Sequence, residues 1–130
     1  MKEILVPLSP GELLDKIAIL RIKVARIQDA AKLANVKLEL SLLEATWKDC
    51  GADAHDVALE ERALENVNAR LWDIEDRIRD KEARQTFDRE FIELARAVYI
   101  CNDERAEIKK RINVQLGSRI IEEKSYKQYR

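Results

Sequence analysis

The chain has 130 residues, 38% of them charged and 46% hydrophobic, with a formal net charge of -1. That length suits one domain, residues 1–130, around a single core. The near-balance of acid and base argues against a general nucleic-acid binder, and the apolar content excludes a disordered chain.

Met1 to Leu8 reads as a short extended arm, at best an edge strand, because Pro7 cannot donate to a ladder. Its Ile4-Leu5-Val6 run is far short of a signal peptide, and no stretch approaches the ~20 apolar residues of a membrane span. A cytoplasmic, reducing location is expected. Both cysteines, Cys50 and Cys101, sit on apolar stripes and read as buried thiols.

The first helix begins at Pro10 and runs to about Gln28. Ser9 is its cap, Pro10 takes the first helical position, and Glu12 is spaced to reach back to the Ser9 amide in a capping box. Leu13, Ile17, Leu20, Val24 and Ile27 recur at steps of four and three and define one face. Asp29 offers a stop and a new cap, although Ala30 and Ala31 could carry a kinked helix straight through. The second helix covers about Ala31 to Lys48, with Leu33, Val36, Leu40, Leu43 and Trp47 as its stripe and Gly51 as terminator. Asp53 is the expected cap of the third helix. Its stripe, Val57, Leu64, Val67, Leu71, Ile74 and Ile78, is broken by Glu60. Thr86 or Asp88 caps the fourth helix, which carries Phe87, Phe91, Leu94, Val98, Cys101, Ile108 and Ile112 and stops near Gly117. Residues 118–130 form a polar, tyrosine-containing tail. Its Ile120 segment is the expected partner of the arm's Ile4–Val6, within or between chains.

The fold class is therefore all-α: an antiparallel bundle of four helices, two shorter and two long, with coiled-coil-like left-handed packing. The unequal lengths leave apolar surface that a second copy could cover, so a homodimer is expected.

Three constellations could carry chemistry. Glu12, Asp15 and Lys16, with Arg21, Lys23 and Arg26, make the first helix a possible cationic wall, or simply a row of charges beside the core. In the fourth helix, Asn102 and Arg105 interrupt the apolar row and Lys109 lies one turn on. Such polar groups must find partners: either they fix register, as a core Asn does in coiled coils, or they line an inter-helix ligand site. The third, Trp72 to Glu82, offers Asp73–Arg77, Glu75–Arg79 and Asp80–Arg84 pairs along a solvated face. The candidate ligand-binding set is Lys16, Arg105 and Lys109, with Asn102 orienting an anionic metabolite. His55 is the only histidine, so neither a zinc site of familiar spacing nor a histidine triad is expected. The sequence also lacks a Gly-rich phosphate loop and a Glu-x-x-His di-iron motif. No metal, cofactor or catalytic residue is assigned.

Pro7–Lys16, Leu33-Ala34-Asn35-Val36, Leu71–Asp76, Phe91–Tyr99, Asn102-Asp103, Ile112-Asn113 and Glu122–Tyr126 together resemble a family of small bacterial helical proteins of unknown function. That resemblance covers nearly the whole chain and implies a bacterial, cytoplasmic protein with no catalytic residues carried over. More remotely, the Leu/Ile-rich first helix and the cations Arg21, Arg26, Arg105 and Lys109 are similar to those of the all-helical chorismate mutases. Those enzymes hold a dicarboxylate in an intertwined dimer, but their motif order and helix lengths differ from these. The leading functional expectation is a non-catalytic, dimeric interaction protein that engages another protein. The alternative is a small enzyme or binding protein with a cationic pocket.

Overall fold

The computed structural model describes residues 1–130 and is all-α, with four helices and no strand. Helix α1 spans Pro10–Arg26, α2 Ala30–Asp49, α3 Ala58–Ala83 and α4 Arg89–Gln115. The α1 cap is as the sequence predicts: the Ser9 hydroxyl accepts from the Glu12 amide at 3.3 Å, with Pro10 at the start of the helix. The Glu12 carboxylate does not complete the box; it bonds the Lys109 ammonium instead. Asp29 caps α2 through the Lys32 amide and Asp88 caps α4 through the Phe91 amide. Gly51 and Gly117 take positive φ at the ends of α2 and α4. Gln85 does the same after α3, a conformation that strains a residue with a Cβ.

Asp53 caps no long helix. It lies in a 3-10 turn, Ala52–Ala54, and α3 starts later, after Val57, without a side-chain cap. Gly51, with φ 82, heads that turn, so the residues just after it are taken up by the turn and not by α3.

Helices α3 and α4 form an antiparallel hairpin, tied by Arg70–Glu104 at 2.7 Å, Arg77–Glu90 at 2.9 Å and Lys81–Asp88 at 2.9 Å. The core is where α1 lies across this hairpin: Leu14 and Ala18 of α1, Leu64 and Val67 of α3, and Cys101, Ile108 and Ile112 of α4 are buried together. The adjacent face of α1, with Leu13, Ile17 and Leu20, is buried too, and α2 packs against α1. Helix α1 is therefore the central helix, sandwiched between α2 and the hairpin. It reaches along α3 as far as Asp73, which Arg26 holds at 2.5 Å. Beyond that point Ile74 and Ile78 are only half-buried, so the long pair outruns the short one.

Helix α2 has no buried residue. Its stripe Leu33, Val36, Leu40, Leu43 and Trp47 is the half-buried side, and Leu38 and Leu42 face outward, 63% and 46% exposed. Cys101 is buried as expected, but Cys50 is exposed, its thiol donating to the Trp47 carbonyl. It sits at the last turn of the one helix that is covered from a single side.

The arm and the tail do not pair with each other within the chain. The arm's Ile4, Leu5 and Val6 border a groove of about 490 Å³ with Leu43 and Thr46 of α2. The tail runs back along α4 instead: Glu122 and Glu123 meet Lys109 and Lys110, and the Tyr129 hydroxyl donates to Asp103 while its ring packs edge-on to Tyr99. Charge explains the choice, since the tail's acids have lysines to meet on α4 and the arm is nearly all apolar.

Candidate functional site: the polar seam between α1 and α4

Glu12 and Asp15 of the first constellation meet the second constellation in one seam. Helix α4 presents Asn102, Arg105, Lys109 and Asn113 at steps of three and four, which puts them on one face beside the buried Cys101, Ile108 and Ile112. Helix α1 presents Gly11, Glu12 and Asp15. The helices run antiparallel, so the groups meet in reverse order.

At one end the Asn113 side-chain oxygen accepts from the Gly11 amide at 2.7 Å, satisfying one of the orphan donors of the first helical turn. Gly11 is required by proximity. A Cβ there would lie 2.4 Å from the Lys109 carbonyl oxygen and 2.8 Å from the Asn113 side-chain oxygen. In the middle, the Lys109 ammonium donates to Glu12 at 2.9 Å and to Glu122 of the tail at 3.4 Å.

At the other end lies the buried charge. The Asp15 side chain is 1% exposed. It accepts from Arg105 through Nε at 2.9 and 3.1 Å and Nη2 at 2.7 Å, a forked pairing, and from the Asn68 amide of α3 at 2.8 Å. Asn102 adds a long contact, 3.4 Å, from its side-chain oxygen to Arg105 Nη1. Every buried side-chain nitrogen and oxygen in the chain has a partner. A carboxylate so far from water requires this company, because an unpaired buried charge costs several kcal/mol.

Of the four residues expected to bind a ligand, Asn102, Arg105 and Lys109 therefore lie together along α4. Lys16 does not join them; its side chain is half-exposed, 4.0 Å from Glu12. Arg105 and Asn102 also edge an open cleft of about 510 Å³ whose other walls include Lys23, Trp72, Glu75 and Arg79. Acids and bases alternate around it, and Arg79 is held by Glu75 at 3.2 Å. No group of three or more His, Cys, Asp and Glu side chains is placed to hold a metal ion.

The charged third constellation is partly re-routed by tertiary contacts. Glu75–Arg79 and Asp80–Arg84 form as the spacing predicts, whereas Asp73 pairs with Arg26 and Arg77 with Glu90. Around the α3–α4 turn, the bond to Lys81 and then the Phe91 amide hold the Asp88 carboxyl below the ordinary carboxylate range. Arg77 and then Lys81 do the same for Glu90, and Asp88 raises Lys81 against the opposing effect of its burial.

Sequence reasoning did not foresee the roles of Asn68, Asn113 and Gly11. One signal was present: a glycine in the first turn of a helix, in a chain with only three, costs stability unless a neighbour needs the space.

Residues 4–129 match the model of a family of unknown function, DUF6165, and the chain belongs to that family. No curated protein and no solved structure matches it. No helix is long and apolar enough to cross a membrane.

Proposed function

We propose that this member of the DUF6165 family is a non-catalytic interaction protein of the bacterial cytoplasm that works as a homodimer and engages other proteins. The observation that carries this reading is α2: a helix apolar on both its inner and outer sides in which no residue is buried. Leucines on the outer as well as the inner side of a helix call for cover on both sides. The seam supports the same reading from the other direction. Its cations already have carboxylate partners within the chain, Asp15 for Arg105 and Glu12 and Glu122 for Lys109, and so serve to lock α1 onto α4. Sedimentation equilibrium tests the reading: a dimer at micromolar concentration supports it, and a monomer at every accessible concentration defeats it.

A second reading rests on the open cleft beside Arg105. Here a small dianion would approach Nη1, the guanidinium nitrogen with only the long contact to Asn102. A thermal-shift screen with small dicarboxylates and phosphates separates the two. A rise in Tm that disappears in Asn102→Ala favours the cleft, because a ligand bound only to the folded state stabilises it by mass action. An unchanged Tm at millimolar ligand favours the interaction reading.

A further inference from the structure

The geometry points to a specific interface: the outward side of α2, with the N-terminal arm beside it, is the surface on which a second copy of this chain docks, α2 against α2 about a two-fold axis. This rests on the dimer reading above and says which face makes the dimer.

Three observations converge on that face. The first is apolar continuity. Leu38, Leu42 and Thr46 follow one another at steps of four on a single side of α2. Thr46 is also in the wall of the groove bordered by Ile4, Leu5 and Val6, so the arm and the outer side of α2 form one surface.

The second is its extent. Ile4, Leu5, Val6, Leu8, Leu38 and Leu42 are between 41% and 91% exposed. At roughly 100 Å² of apolar surface per side chain, these six supply most of the ~800 Å² per partner that a stable interface needs.

The third is charge. The ion pairs of the chain join residues of α1, α3, α4, the α3–α4 turn and the tail, and none involves α2. Lys32, Lys37, Glu39, Glu44, Lys48 and Asp49 are thus all without an ionic partner within the chain.

A closed, isologous contact of this face with its own copy is the commonest route to a dimer.

The test uses the full chain and sedimentation equilibrium, with circular dichroism to follow folding. Leu38→Glu with Leu42→Glu should abolish the dimer at micromolar concentration while helix content is retained, since both side chains are exposed. A wild-type dimer that both leucine substitutions leave intact overturns this interface and leaves the dimer reading standing. A wild-type monomer overturns the interface and the dimer reading together.

Discussion

Helices α1 and α2 are consecutive, similar in length and joined by a tight connection, yet they occupy opposite extremes of the molecule. Helix α1 is buried on two faces and carries a buried carboxylate; α2 has no buried residue at all. Composition does not explain the difference, because α2 is the more apolar of the two to the eye, with five leucines and few charges facing the protein. What separates them is cover. Helix α1 meets α2 on one side and the α3–α4 hairpin on the other, whereas α2 meets chiefly α1. An apolar helix is buried only when something stands on each of its sides, and within one chain α2 lacks its second neighbour.

The contrast can be broken most severely at the seam. Arg105→Met leaves the Asp15 carboxylate buried with only Asn68 beside it, and should cost about 3 kcal/mol of unfolding free energy in a urea titration. Adding Asp15→Leu should recover much of that loss, because replacing both charges removes the uncompensated one. Gly11→Ala should cost about 2 kcal/mol, since the new methyl meets a backbone carbonyl that can move only if α1 and α4 separate.

On α2 the same experiment should show almost nothing. Leu38→Glu, measured under conditions where the chain is monomeric, should shift stability by less than about 0.5 kcal/mol, as expected for an exposed position. The same substitution in α1, Ile17→Glu, should abolish cooperative folding, because that side chain is 1% exposed. Gln85→Gly should stabilise by about 1 kcal/mol, relieving the positive φ that Gly117 already adopts without strain after α4.

The smallest effect is local and depends on pH. Asp88 and Glu90 have depressed folded-state values, so their contribution is complete above the ordinary carboxylate range and is lost as pH falls through the lowered values. Lys81 is raised, so its contribution is complete below the ordinary lysine range and is lost as pH rises through the higher value. Carboxyl NMR titration should give midpoints below 3.8 for Asp88 and below 4.5 for Glu90, with fraying confined to the α3–α4 turn.

Much of this could be read from local sequence. Four helices, their order, the caps Ser9, Asp29 and Asp88, the stops at Gly51 and Gly117, and the half-buried stripe of α2 follow from patterns that span a few residues. What could not be read depends on which helix faces which. Asp15 and Arg105 were both singled out, but they are ninety residues apart in the chain, and a helical face shows where a side chain points without showing what it meets. Glu12 illustrates the point. Its spacing suits a capping box, and the longer-range attraction of Lys109 wins because that ammonium is itself largely buried and needs the carboxylate. Cys50 was misplaced for the complementary reason: it lies on an apolar helix, and the helix is open.

Amide hydrogen exchange at two protein concentrations tests the central contrast most directly. Protection of the α1 amides should be high and independent of concentration, because their cover comes from the same chain, while protection of the α2 amides should rise with concentration as a second copy covers them. Protection in α2 that equals that of α1 at low concentration and does not change would contradict the account.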